Sequence, residues 1–163
     1  MLRHIALIMF MVGFYTVPAT AQNTEQISTV KTGKSCVECN LFQADLSYLE
    51  GAKMDLSKAR LRQSNLALAT YDEVNFTRAN LSVANLFGAR FNRSDFSGAN
   101  LQNATAVGTY FGSSKLAGAQ LNGANFSGAD LSLVKGLTQS QLSQACGDET
   151  TRLPKGQTIP PCS

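Results

Sequence analysis

Cysteine and histidine are the residues of this chain whose types could support nucleophilic, redox or metal chemistry. The 163-residue sequence contains four cysteines, Cys36, Cys39, Cys146 and Cys162, and a single histidine, His4. A Cys-x-x-Cys pair such as Cys36 and Cys39 occurs in thiol redox enzymes, and two such pairs make a typical zinc site. The sequence therefore offers three interpretations of this pair, namely a structural disulfide, a redox site or part of a metal site.

The N-terminal segment 1–21 has the layout of a secretory signal peptide. Arg3 precedes an uncharged stretch over residues 5–15, and residues 17–21 end in a small-x-small pattern before Gln22. The stretch is short for a membrane span of about 20 residues, so an uncleaved anchor is the weaker alternative and no integral span is expected after cleavage. We predict a periplasmic or secreted bacterial protein. Cleavage removes His4 and with it every triad or metal site that needs imidazole.

A five-residue period positions the remaining side chains. Nineteen consecutive units keep one phase over residues 39–133, with a large apolar residue at the third position of seventeen units and alanine at the first position of eleven. An amphipathic helix has a period of about 3.6 and a strand a period of about 2, so neither accounts for this repeat. The unit requires a backbone that turns a corner every five residues, with its first and third side chains inside.

Units such as Ala79-Asn-Leu-Ser-Val and Ala84-Asn-Leu-Phe-Gly resemble the pentapeptide-repeat family, whose motif is Ala-(Asp/Asn)-Leu-x-x. The resemblance implies an all-β solenoid, a right-handed quadrilateral β-helix of about five coils. Residues 20 apart then stack, and adjacent coils share main-chain hydrogen bonds at a spacing of about 4.8 Å. At the third position, Gly51 would leave a gap in the core. We expect Leu49 and Met54 to fill this gap, and a local bulge is the alternative.

Both ends of such a solenoid need covers, because an end coil exposes unpaired backbone groups. We assign residues 22–35 to an N-terminal linker, 36–136 to the β-helix, and 137–163 to a short capping helix followed by a disulfide-closed tail. Thr138 and the glutamine three residues later match a capping box, which predicts a helix over about 139–146. The tail beyond this helix is expected to be irregular.

The fold limits how the four cysteines can pair. Nearly five coils, about 20 Å, separate Cys36 and Cys39 from Cys146 and Cys162, whereas a disulfide needs Cα atoms within about 7 Å. We predict the disulfides Cys36–Cys39 and Cys146–Cys162, since an exported protein is normally oxidised. The resemblance to exported family members points to the same pairing in the tail. No cofactor is expected, and the redox and metal interpretations are retained as alternatives.

Asp55 and Asp95 are the nearest approach to the carboxylate pair of a glycosidase. They share a column two coils apart, about 9.6 Å, with Asn75 between them. We interpret these three residues as a polar ladder and predict no catalytic residues.

Basic side chains gather at one corner of the predicted coil. Lys58, Arg60, Arg62 and Arg78 fall close together, with Lys58 directly below Arg78. A solvated corner is the simplest interpretation, and a docking site for an anionic envelope polymer or an acidic protein is the alternative.

Apolar side chains also occur at outward positions of one side. Tyr48 and Leu68 share one column, and Phe87 and Val107 share the neighbouring one, whereas outward positions elsewhere are mostly small, polar or charged. Contiguous exposed apolar residues on a soluble protein indicate a contact surface. These four residues form our candidate interaction patch, for a homodimer or for another protein.

We therefore predict a non-catalytic exported solenoid that serves as a structural or protein-interaction module, with an unknown protein or envelope component as partner. An envelope carbohydrate-active or redox enzyme is the alternative from another class. The resemblance also suggests a gyrase inhibitor that mimics DNA. However, residues 39–133 contain 8 basic and 7 acidic side chains, which is no phosphate-like array, and export leads away from cytoplasmic gyrase. A formal charge of +3 is also too small to predict a nucleic-acid partner.

Overall fold

The computed structural model describes residues 22–162, so the predicted signal peptide lies outside the described residues. Within this part of the chain, no helix is long and apolar enough to cross a membrane. The regular elements are helix α1 (Thr24–Lys31), strands β1 (Glu50–Ala52), β2 (Thr70–Asp72) and β3 (Arg90–Asn92), and helix α2 (Gln139–Leu142).

Residues 20 apart stack in parallel along the solenoid. The three strands form one parallel sheet whose register places Gly51, Tyr71 and Phe91 in a single column. Isolated bridges continue the same 20-residue offset on the other three sides. Their first members are Asn40, Asp45 and Asp55. The chain therefore forms the four-sided β-helix that the five-residue period predicts.

The second and fifth residues of each unit turn the corner. The fifth residue has a positive φ, between 53° and 69°, in every unit from Gln43 to Gly128. Glycine suits this position because it has no Cβ to strain, as at Gly108. At the second position an Asn or Asp oxygen accepts the N–H two residues later, as Asn75 Oδ1 does from Thr77 at 3.0 Å. This local bond explains the preference for Asn and Asp in the repeat.

The third residues fill the centre of the coils, and the aromatic side chains among them pack closely against one another. Phe76 and Phe96 stack with their ring centroids 4.8 Å apart, and Phe91 meets Phe96 edge to face at 5.0 Å. These rings are fully buried, as are the alanines at the first position. The two adjacent aromatic stacks that follow from the 20-residue register are therefore present in the core.

Met54 compensates for the missing side chain of Gly51. The Met54 sulfur lies 2.6 Å from the point where a Cβ on Gly51 would sit, and Met54 is only 2% exposed. Leu49 is partly buried against the same core. Strand β1 keeps the regular register at this point, so the bulge considered for Gly51 does not form.

A helix occupies the segment for which the sequence predicts a linker, residues 22–35. Asn23 caps α1 by accepting the N–H of Gln26 at 3.0 Å, and Val30 on this helix is fully buried. Gln26 Oε1 accepts the N–H of Asn40 at 2.7 Å. The segment is ordered because the first coil presents both an apolar end and an unpaired N–H, and α1 supplies a partner for each.

The repeat begins one unit earlier than its sequence phase indicates, at Lys34. Cys36 occupies a third position, and Glu38 has the positive φ, 58°, of a fifth position. The N–H groups of Cys36 and Glu38 donate to the carbonyls of Asp55 and Ser57 at 2.7 and 2.9 Å. These bonds are the same ladder bonds that join the later coils.

Helix α2 forms at the predicted place but is shorter than predicted. Thr138 and Gln141 make both bonds of a capping box, and the helix ends at Leu142 rather than near residue 146. The Gln141 side-chain amide also donates to the carbonyls of Leu116 and Ala119 at 2.8 and 2.9 Å. The helix is therefore tied to the coil below it.

The tail, expected to be irregular, rejoins the solenoid instead. Cys146 bridges Asn125 and Arg152 bridges Asp130, so two sides gain a further parallel rung. The N–H of Phe126, for example, donates to the carbonyl of Cys146 at 2.8 Å. The first of these bridges exceeds the regular offset by one position and the second by two. The five-residue period has ended by then, so it could not predict them.

Candidate interaction site

The four cysteines are paired as the sequence predicts. The Cα atoms of Cys36 and Cys39 are 5.6 Å apart, and those of Cys146 and Cys162 are 4.8 Å apart. No described cysteine is free. Across residues 22–162, no group of three or more His, Cys, Asp or Glu side chains is placed to hold a metal ion. The arrangement of the cysteines is that of two staples, one at each end of the solenoid.

The carboxylates of Asp55 and Asp95 are held in a polar ladder. Asn75 Nδ2 donates to Asp55 Oδ1 at 3.0 Å, and Lys115 Nζ lies 3.0 Å from Asp95 Oδ2. Burial alone would raise the pKa of Asp95, but hydrogen bonds from Ser97 and Lys115 outweigh it and lower the pKa. A glycosidase acid needs a raised pKa so that it can donate a proton. The geometry therefore favours a structural ladder.

The basic corner carries less positive charge than its sequence indicates. Lys58, Arg60, Arg62 and Arg78 are all exposed, as predicted. Glu38, however, lies one coil away from Lys58 in the same column and forms an ion pair with it at 2.7 Å. Lys58 lowers the pKa of Glu38 through this hydrogen bond. Glu38 was not foreseen at this corner, because the sequence phase places it before the repeat.

A groove of about 430 Å³ separates α1 from the first coil. Ile27 and Ala44 are apolar contributors to its lining, beside the polar residues Lys31, Gln43 and Asp45. Hydrogen bonds from Ser47 lower the pKa of Asp45. The groove is open to solvent, and the Asp45 carboxylate is already engaged by a neighbour, so it is a weaker candidate than the apolar surface described next.

The strongest candidate is an apolar strip formed by Tyr48, Leu68, Phe87 and Val107. The exposed fractions of the first three are 73%, 45% and 50%, and Val107 is half-buried. The N–H of Leu68 donates to the carbonyl of Phe87 at 2.9 Å, so neighbouring coils join the strip without a gap. Leu68 lies across Gly88, with Cδ2 2.7 Å from the position of an added Cβ. The predicted patch is thus continuous and outward-facing.

A column of unlike charges runs beside the apolar strip. Strand pairing places Glu50, Thr70 and Arg90 in one column of the adjoining side, and all three are exposed. The Arg90 guanidinium lies 4.8 Å from the ring centroid of Tyr110 in the next coil. This column was not singled out from the sequence, although the 20-residue register was sufficient to locate it.

Comparisons with known proteins give a consistent result. A sequence model of pentapeptide repeats matches eight copies over residues 55–93 and 94–132. No curated protein matches the chain. Among solved structures, a pentapeptide repeat protein (Rfr23) from the cyanobacterium Cyanothece 51142 is 20% identical, with a TM-score of 0.51. The match covers 80% of this chain and 98% of that one, which supports the same fold.

Two further solved structures match with lower TM-scores. A pentapeptide repeat protein from the Arabidopsis thaliana thylakoid lumen is 24% identical, with coverages of 69% and 74% and a TM-score of 0.44. The plasmid-mediated fluoroquinolone resistance protein QnrB1 is 19% identical, with coverages of 76% and 76% and a TM-score of 0.43. At this level of similarity, neither protein's role transfers to this chain.

Proposed function

Because the chain belongs to the pentapeptide-repeat family, we propose that it is an exported, non-catalytic solenoid that binds a protein through the apolar strip. In this proposal, about five coils form a rigid rod, and α1 and α2 cap its two ends. The two disulfides staple those ends in an oxidising compartment, periplasmic or extracellular.

The continuous exposure of the apolar strip carries the proposal. Three large hydrophobic side chains stand outside the core on consecutive coils, Tyr48, Leu68 and Phe87. The coil interior is already filled by the third residues of the repeat, so the strip is not needed to stabilise the fold. Aromatic residues at the centre of an apolar patch are the usual anchors of protein interfaces.

The alternatives from other classes have less support. A gyrase inhibitor that mimics DNA would need an acidic surface, yet basic and acidic side chains are nearly balanced over residues 39–133, at 8 and 7. A redox enzyme needs an accessible low-pKa thiol. Cys36 and Cys39 are paired at the end of the core instead.

Site-specific photo-crosslinking in the producing cell tests the proposal. A photoreactive phenylalanine analogue replaces Phe87 in the full-length chain, and the same analogue replaces Leu133 as the matched control. Leu133 is 58% exposed but lies outside the apolar strip. We expect a protein adduct from position 87 in the envelope or secreted fraction, on a chain whose mass corresponds to a start at Gln22.

A second variant shows whether the adduct depends on the strip. The changes Tyr48→Ser and Leu68→Ser, made together with the probe at position 87, should abolish the adduct without unfolding the solenoid. Equal adducts from positions 87 and 133, or none from position 87, would contradict the interaction module. Recovery of the chain only in the cytoplasm, with residues 1–21 still attached, would contradict export.

A further inference from the structure

We propose that the apolar strip pairs, through its Tyr48, Leu68 and Phe87 side chains, with the same side chains of a second copy of this chain, in an antiparallel two-fold arrangement with Leu68 at its centre. This inference rests on the proposed function, because it names the partner of that strip. Both the shape of the strip and the charges beside it support a second copy.

A two-fold axis that lies in the interface and runs perpendicular to the solenoid makes each column face itself in reverse order. The column that contains Tyr48, Leu68 and Gly88 then places Leu68 against Leu68 of the second copy. Tyr48 faces Gly88 of the second copy, where only the Leu68 side chain covers the backbone. The largest side chain of the column therefore meets its smallest residue.

The neighbouring column is also complementary to itself. It contains Ser47, Ala67 and Phe87 on the same three coils. When the order is reversed about Ala67, Phe87 faces Ser47 of the second copy, and the two Ala67 residues face each other. Phe87 is half-exposed, and the small serine leaves room for its ring. Matching large with small side chains is what a closely packed interface requires.

The charged column selects the same register. Reversal of Glu50, Thr70 and Arg90 about Thr70 brings each Glu50 opposite Arg90 of the second copy. Within one chain, Glu50 and Arg90 are two coils apart, about 9.6 Å. The same spacing recurs in the second copy, so both symmetric ion pairs form in the same register. Among the described residues, neither Glu50 nor Arg90 has an ion-pair partner within the chain. Arg90 lies 4.8 Å from the Tyr110 ring centroid, but this contact involves no carboxylate, so Glu50 of the second copy would supply its ion-pair partner.

Charge reversal tests this register directly. Equilibrium sedimentation of the purified exported protein should show a dimer. Glu50→Arg alone and Arg90→Glu alone should each weaken dimerisation about tenfold, because each places like charges opposite one another twice. The double variant restores both ion pairs with their polarity exchanged, so its dissociation constant should return to within about threefold of the original.

Two further variants act as controls. Phe87→Asp should give a monomer, and Leu133→Asp should dimerise like the original protein. All the substituted residues are exposed, so unchanged circular dichroism and unfolding midpoints are expected for each variant.

The failures of the two proposals are distinguishable. A chain that stays monomeric at high concentration, single charge variants without effect, or a double variant as weak as the single ones would each overturn the antiparallel dimer. If the protein is monomeric but position 87 still gives a strip-dependent adduct with another protein, the dimer proposal is wrong and the proposed interaction module is supported. If position 87 gives no adduct with any protein, both the dimer and the interaction module are contradicted.

Discussion

Replacing Tyr71 with phenylalanine should stabilise the solenoid. Tyr71 is fully buried, with its ring centroid 5.7 Å from Phe91 and 5.5 Å from Phe76. Its hydroxyl has no hydrogen-bond partner among the described residues. An unsatisfied buried polar group costs about 1–3 kcal/mol, and Tyr71→Phe removes it while keeping both ring contacts. Allowing for the small void left by the oxygen, we expect a gain of about 1 kcal/mol in the free energy of unfolding.

The gain should increase in alkali. Burial raises the pKa of the Tyr71 phenol. Above pH 10, where a tyrosine in the unfolded chain loses its proton, the folded protein still keeps the proton on Tyr71. The folded state then binds more protons than the unfolded state, so its stability falls as the pH rises further. Phenylalanine does not titrate, so the free-energy difference between the two proteins should widen by up to about 1.4 kcal/mol per pH unit.

Urea unfolding followed by circular dichroism, at pH 7 and at pH 10.5, measures both effects. Tyr110→Phe is the matched control. Tyr110 is half-buried at the surface, beside Arg90, and its change should shift the free energy of unfolding by less than about 0.5 kcal/mol. A Tyr71→Phe variant no more stable than the original at pH 7, with the same free-energy difference at pH 10.5, would show that the buried hydroxyl of Tyr71 does not destabilise the solenoid.

Two further predictions concern the N-terminal cover and the acid range. Val30→Ala should lower the free energy of unfolding by about 2 kcal/mol, because the Val30 side chain on α1 is fully buried. The same change at the half-exposed Val37 should cost much less, and equal losses in urea unfolding would contradict a stabilising role for α1. A hydrogen bond from Ser132 lowers the pKa of Asp130. The free energy of unfolding should therefore stay constant above about pH 4, where the unfolded carboxyl titrates, and decline as the pH falls through the lower folded pKa. Ser132→Ala should make this decline shallower in urea unfolding midpoints measured from pH 2 to 6. An unchanged decline would contradict the role of Ser132.

The interior of the solenoid was predictable because one geometric rule decides it. A residue in the third position must fit the coil centre, so the column of Gly51, Tyr71 and Phe91 follows from counting in twenties. Even the exception was predictable, since Leu49 and Met54 are large first-position residues on either side of Gly51 in the sequence. The same counting placed the cysteine pairs at opposite ends, which left one sensible way to pair them.

The two ends were harder to predict because they do not follow this rule. Helix α1 has few apolar residues, and the burial of Val30 depends on a contact with a coil that follows it in sequence. In the tail, Cys146 and Arg152 join the ladder at offsets longer than the regular one, after the repeat has ended. Tertiary contact orders these segments, and their own residue pattern does not reveal it.

The outward positions raise a different problem. The coil geometry tolerates almost any side chain there, so a single outward residue such as Glu50 indicates nothing on its own. Glu50 and Arg90 are far apart in the sequence, and they become related only when the register places them in one column beside Tyr48 and Phe87. Sequence counting can locate such columns once the fold is known. Their combination of charge order and side-chain size, rather than any motif, is what selects an antiparallel second copy as the partner.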